Sequence, residues 1–238
     1  YCVDGVRVSD AYAGYGRDVV EVDVWKRVEI LKGPTSALYG SDGLAGAVSY
    51  VTKDASDFTE SGFHYSARYS HFSDSDQEKY SFLSAYVGER VEGILQFTNK
   101  NSSEMNLHDD AVQNPNPVRS EGESILGKFT LDLNDNIDIT FTLDSQEWTS
   151  DIVVLTDIGS TFYPGLSTLS TTSSSVGADE GSRERIGLRV DFKGQNNLFD
   201  NGTFNLFSQS TDQQQITNKI KKLTYILFVE LKAAFDHI

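Results

Sequence analysis

Cysteine is almost absent from this sequence of 238 residues. The lone Cys2 excludes an intramolecular disulfide framework and any cysteine-built zinc site. Basic charge is scarce too: 20 Lys and Arg stand against 35 Asp and Glu, for a formal net charge of −15. A surface that reads nucleic-acid phosphates needs a concentrated basic patch, so no nucleic-acid partner is expected. Long apolar runs are also missing, which excludes a membrane-spanning helix. That does not exclude the membrane, because a transmembrane barrel strand alternates lipid-facing and water-facing side chains. Its average hydropathy then sits where a soluble protein's does, as the mean hydropathy of −0.36 does here.

Signatures of catalysis are missing as well. Four histidines are present, His64, His71, His108 and His237, and no pair has the spacing of a His-Glu-x-x-His metal site. No Gly-x-Ser-x-Gly elbow occurs, and the glycines fit neither a P-loop nor a dinucleotide fingerprint. The chain is therefore expected not to be an enzyme, with no catalytic residue, no metal site and no intrinsic cofactor. It starts at Tyr1 without the basic and apolar stretches of a signal peptide, and is read as N-terminally incomplete.

What is present is alternation. In the run 137–144, Ile137, Ile139, Phe141 and Leu143 interleave with Asp138, Thr140, Thr142 and Asp144, the period of a strand with one apolar and one wet face. Ile125, Phe129, Leu131 and Leu133 oppose Ser124, Lys128, Thr130 and Asp132 in the same way. Ile186, Leu188, Val190 and Phe192 oppose Arg185, Arg189 and Asp191. Phe63, Tyr65, Ala67 and Tyr69 oppose His64, Ser66, Arg68 and Ser70. Val91, Leu95 and Phe97 oppose Glu92, Gln96 and Thr98, and residues 80–87 and 203–209 add two strands of open phase.

The connections between these seven strands alternate in length. Residues 73–79 precede the tight Gly88-Glu89-Arg90. The long 101–122 precedes the tight Asn134-Asp135-Asn136, and the longest, 149–182, precedes a moderate turn at 195–201. Up-and-down outer-membrane barrels show this asymmetry, with short periplasmic turns and long extracellular loops. Tyr69, Phe72 and Trp148 precede long connections, where an interfacial aromatic girdle is expected. The alternative from another class is a soluble all-β binding or adhesion module, whose strands would need protein on both faces.

The first 57 residues have another texture. Val3-Asp4-Gly5-Val6-Arg7 is followed by Trp25-Lys26-Arg27-Val28-Glu29-Ile30-Leu31-Lys32-Gly33-Pro34-Thr35-Ser36-Ala37-Leu38-Tyr39-Gly40, then by Gly43-Leu44-Ala45-Gly46-Ala47-Val48 and Val51-Thr52-Lys53. In order and spacing this closely resembles the second half of the plug domain of TonB-dependent outer-membrane receptors. The residues that carry the resemblance are Asp4, Gly5, Arg27, Glu29, Gly33, Pro34, Ala37, Leu38, Tyr39, Gly40 and Gly46. Residues 14–23 and 52–58 resemble the haem and haemoglobin receptor branch, with siderophore or cobalamin receptors as the alternative. Read from the residues themselves, 27–31 and 45–52 form strands and 36–39 one helical turn.

The expected fold is mainly β: a partial transmembrane antiparallel up-and-down β-barrel preceded by part of an α+β plug domain. Residues 1–57 form the C-terminal half of the plug and 58–217 the first barrel strands. The resemblance implies selective import across the outer membrane of a Gram-negative bacterium, of haem or haemoglobin-derived iron. It also implies a TonB energy-transducing complex as partner, engaged through the missing N-terminal part. Outer-membrane lipid and lipopolysaccharide are the surroundings. The fragment alone is expected to transport nothing. Haem iron is held by His or Tyr, so His108, Tyr12 and Tyr15 are the candidate ligand contacts. Residues 218–238 stand apart: 228–238 resemble a motif of retroelement reverse transcriptases, and the alternative is a further strand at 223–231.

Overall fold

Two sheets of different character arise from these two textures. The structure, a computed structural model, describes residues 2–7, 21–33, 46–108, 110, 116–196 and 199–225. The N-terminal unit contains four short strands: β1 (Cys2–Val3), β2 (Val6–Arg7), β3 (Trp25–Lys32) and β4 (Gly46–Thr52). They lie in the order β2-β1-β4-β3, with β1 parallel to β4 and the other pairs antiparallel. The turn joining β1 to β2 puts Asp4 (φ 48°) and Gly5 (φ 78°) in the left-handed region. Two positive φ values make a tight hairpin turn whose twist suits the strands, and Asp-Gly tolerates both. The helical turn expected at 36–39 lies outside the described residues.

The second sheet is an antiparallel meander. It comprises β5 (Gly62–Phe72), β6 (Gln77–Val87), β7 (Val91–Ser103), β8 (Val118–Asn134), β9 (Ile137–Val153), β10 (Gly159–Tyr163), β11 (Thr168–Asn196) and β12 (Phe199–Tyr225). Apart from β9 and β10, which both pair with β11, each strand pairs with its neighbour in sequence. After a 3-10 turn at Leu155–Asp157, β10 continues β9 along the same edge of β11. Seven up-and-down passes result. The chain thus forms a partial antiparallel up-and-down β-barrel preceded by part of a plug.

The tight turns stand where the sequence places them, at 88–90 and 135–136, whereas the long connections are shorter than expected. Residues 149–153 and 168–182, read as loop, are strand, and the connection 101–122 shrinks to 104–117. The reason is chemical. Thr168-Leu169-Ser170-Thr171-Thr172 and its neighbours carry Ser and Thr on both faces, so they have no apolar phase although Thr suits a strand. An alternation test cannot find such strands.

The wall's two faces are inverted relative to a soluble sheet. On the outer face Phe63 is 66% exposed and Phe129 51%, whereas on the inner face Asp144 and Leu126 are fully buried. The outer rings pack against each other: Phe63 lies 4.5 Å from Tyr86, and Tyr69 5.0 Å from Tyr80. Six residues separate Phe63 from Tyr69, about 20 Å of strand, close to the ~25 Å apolar band of a transmembrane barrel. Phe63 shares a hydrogen-bonded row with Tyr86, Phe129, Phe141 and Leu188. On β5 the apolar residues rise above this row, and on β11 they continue below it to Phe192, so the belt slides across the rows as tilted strands require.

Two of the three expected girdle aromatics are corrected. Tyr69 faces outward, but Phe72 and Trp148 take the inner phase. Trp148 follows Asp144 and Gln146 on β9 and is flanked by Gly122 and Gly181 on the adjacent strands. A β-carbon at 181 would lie 2.8 Å from the indole Cζ2, so glycine there leaves room for the ring.

Apolar cores are small and lie between the two units. Val3, Val24 and Trp25 meet Leu126 of the wall, while Ala55 meets Leu83, Ala85 and Ile94, with Phe58 and Val87 alongside. The rest of that junction is charged.

Candidate functional site

The junction is built from carboxylates of the N-terminal unit and cations of the wall. Asp4, at the β1–β2 turn, accepts hydrogen bonds from the Thr52 backbone N–H (2.8 Å) and hydroxyl (2.8 Å) and from Arg185 Nη2 (2.7 Å). Arg185, on the inner face of β11, also donates to the Val3 carbonyl at 2.8 Å. Asp144 lies across the row from Arg185, 3.4 Å from Arg185 and 2.9 Å from Arg183. The guanidinium of Arg183 stands over the Trp25 ring at 5.8 Å. One buried chain of charge therefore runs from the wall into the hairpin turn.

Two further clusters repeat the pattern. Glu21 and Asp23 flank the start of the 3-10 turn Val22–Val24 and meet Lys79 at 2.5 and 2.9 Å, with Lys100 at 3.4 Å from Glu21. Gln96 donates to the Asp23 carbonyl at 2.9 Å. Lys128 reaches Asp54 at 2.8 Å, and Asp54 with Asp57 caps the turn Ala55–Asp57, where Lys26 meets Asp57 at 2.5 Å. A buried ion pair gains little over an apolar pair, because desolvation offsets the Coulomb term. Its value is in fixing position: a charge without its partner there is costly.

Burial tends to raise the Asp4 carboxyl, but Lys128 and Arg185 and the Thr52 N–H outweigh it and hold the group below the ordinary aspartate value of 3.8. A depressed native pKa contributes stability above the unfolded value and loses it as pH falls through the native one. Docking of the N-terminal unit is therefore expected to be constant from neutral pH down to about 4 and to weaken below. Reaction of buried Cys2 with dithiodipyridine measures this. Its rate should climb in acid for the parent protein, and the Asp4→Asn variant should lose that component; equal acid responses in both would refute the assignment to Asp4.

The sequence-derived candidates are not brought together. His108 is exposed, beyond the end of β7, and its Nδ1 accepts from the Asp110 N–H at 3.3 Å. Tyr12, Tyr15, Pro34, Ala37, Leu38, Tyr39 and Gly40 lie outside the described residues. Asp4 and Gly5 form the docked hairpin turn, and Arg27 pairs with Glu29 at 2.7 Å on exposed β3. Gly33 (φ 100°) ends β3, and Gly46 (φ 150°) opens β4, where a β-carbon would strike the Leu31 carbonyl. Sequence reasoning placed Lys128 and Arg185 on wet faces without seeing that they hold the N-terminal unit. The available signal was basic residues at inner-phase positions beside an acidic N-terminal segment.

A small sheet and its capping turns seated by ion pairs on the wet face of a meander define a plug-and-wall protein. Consistent with that class, residues 1–47 match the family model of the TonB-dependent Receptor Plug Domain. The chain is 44% identical over 52 residues to the vitamin B12 transporter BtuB of Vibrio vulnificus, covering 22% of this chain and 9% of that protein. It is 32% identical over 97 residues to the hemin receptor of Yersinia enterocolitica (40% and 14%). It is 27% identical over 158 residues to hemoglobin-haptoglobin-binding protein A of Haemophilus influenzae (60% and 15%). The chain thus spans less than a fifth of the length of these relatives. Among solved structures, the BauA ferric preacinetobactin receptor of Acinetobacter baumannii aligns over 81% of this chain and 37% of its own, at 15% identity and a TM-score of 0.46.

Proposed function

We propose that this chain is part of a TonB-dependent receptor of the Gram-negative outer membrane that imports haem or haemoglobin-derived iron. The observation that carries the reading is the inverted wall, apolar outside and charged inside, with a plug segment docked on its charged face. Hydrocarbon suits the outer face and cannot satisfy an open sheet edge, so further strands must close the barrel. In this reading residues 1–57 are the later half of the plug and 58–217 the first barrel strands. β12 pairs with β11 past residue 218 as far as Tyr225, with one bulge between Thr172 and Ser174 opposite Lys221 and Ile220, which favours residues 218–225 as wall. His108, Tyr12 and Tyr15 are proposed as iron contacts, and the TonB complex as the energy-transducing partner. The hemin and haemoglobin-haptoglobin relatives favour haem. The likeness to a vitamin B12 transporter keeps cobalamin as the second reading. Growth of an iron-starved host on haem or haemoglobin, with the complete gene present or deleted, tests the proposal. Equal growth of both strains on haem, with loss of cobalamin uptake on deletion, would overturn the haem reading and favour the second.

A further inference from the structure

The inner face of the wall carries a ladder of cations. Residues that pair across the strands form rows two residues apart, and five consecutive rows can be followed down the inner phase from Lys100 to Glu92 on β7. The top row holds Lys79 and Lys100, the second Arg68 and Arg183, the third Arg185, the fourth Lys128 and the fifth Arg189. Four steps of two residues make the ladder about 27 Å long along the strands, somewhat more than the outer span from Phe63 to Tyr69. Among the described residues, only Asp144 and Glu92 bring negative charge to these rows. In a chain with a net charge of −15, this is a concentration of one sign on one face.

The plug answers it with the opposite sign. Each plug-to-wall ion pair described above joins a plug carboxylate, from Asp4, Glu21, Asp23 or Asp54, to a wall cation. The carboxylates sit at three heights: Glu21 and Asp23 at the top row, Asp4 at the third, Asp54 at the fourth. Arg189 pairs instead with Asp191 of its own strand, at 2.7 Å. Any displacement of the plug from this wall uncovers lysines and arginines at the heights it vacates. In a narrow channel with low-dielectric walls such a row of like charges focuses a field that raises the local concentration of anions.

We infer that the cation ladder of β5, β6, β7, β8 and β11 is a selectivity element: plug carboxylates occupy it at rest, and anionic groups of the cargo replace them during passage. The inference rests on the uptake reading above and adds the charge class of the cargo, a carboxylate-bearing or otherwise anionic iron complex. It assigns Lys100, Lys128 and Arg189 a role in passage rather than in surface capture.

The test uses the full-length receptor in iron-starved cells, with haem and its dimethyl ester, which lacks the two free carboxylates, as probes. Three receptors are compared with the parent: Lys100→Gln with Lys128→Gln, Arg189→Gln, and the charge-keeping Lys100→Arg with Lys128→Arg. Haem bound by energy-depleted cells should stay within about twofold in all of them. Haem uptake should fall about fivefold or more in both glutamine receptors and remain above half in the arginine receptor, whereas uptake of the ester should not change. Arg189→Gln separates the ladder from plug docking, because Arg189 holds no plug carboxylate in the pairs above. Unchanged haem uptake in the glutamine receptors, or equal losses for haem and ester, would overturn the ladder while leaving the receptor reading intact. Parent cells that bind and import no haem would overturn the haem reading, and the ladder's role with it.

Discussion

Replacing Arg185 with methionine is expected to speed the reaction of Cys2 with a small thiol reagent about 150- to 5,000-fold, with the wall itself unchanged. The magnitude follows from what Arg185 holds. Its guanidinium is 3% exposed and ties together Asp4, the Val3 carbonyl and Asp144. Removing it leaves Asp4 without its wall partner and Asp144 with Arg183 alone, and breaking a buried pair from one side costs about 3–5 kcal/mol. Cys2 is 6% exposed and precedes Val3, so it reports opening of the hairpin that Arg185 grips. The doubly altered Asp4→Asn, Arg185→Met variant should recover part of the loss, since it leaves no charge stranded at position 4. A labelling rate within threefold of the parent would mean that the apolar contacts of Val3, Val24 and Trp25 with Leu126 suffice to hold the plug, and that the ion pair is incidental.

How much of this was legible beforehand depends on which physical signal each element carries. The outer belt was, because a strand with one apolar face must alternate, and Ile137, Ile139, Phe141 and Leu143 do so beside Asp138, Thr140 and Thr142. The Asp4-Gly5 turn was, because few residue pairs tolerate two positive φ values. The upper parts of β9 and β11 were not, since strands with polar residues on both faces show no hydrophobic periodicity. The inward turn of Trp148 was hidden for another reason: its side is decided by Gly122 and Gly181, which lie 26 residues before and 33 after it in sequence and meet it only through register. The plug-to-wall pairs were equally hidden. Asp4 and Arg185 stand 181 residues apart, and nothing local in either segment marks the other as its partner. Loop and plug candidates such as His108 and Tyr12 were chosen by residue type alone, a criterion that carries no geometry.

The largest effect on assembly is expected from a charge placed on the outer belt, with Phe129→Arg as the test. Phe129 is 51% exposed and sits in the row of Phe63, Tyr86, Phe141 and Leu188. If water covered this face, as in a soluble all-β module, exchanging a half-exposed side chain would change stability by about 0.5 kcal/mol or less. If lipid covers it, the guanidinium is held near the middle of the hydrocarbon, where arginine on a barrel's lipid face costs about 2–4 kcal/mol. That corresponds to a shift of roughly 30- to 1,000-fold in the folding equilibrium. The same exchange at Glu123 is the internal control, because Glu123 lies on the outer face of the same strand three rows higher, beside Asn99 and Glu147 and above the apolar belt. Urea unfolding of the full-length protein in lipid vesicles should therefore show a large loss for Phe129→Arg and a change within about 1 kcal/mol for Glu123→Arg. The gradient between the two positions is the informative quantity, since only a medium whose polarity changes with height along the strand produces it. Equal, small effects at both would place water on this face throughout, and the sheet would then belong to a soluble module with its apolar residues awaiting a protein partner.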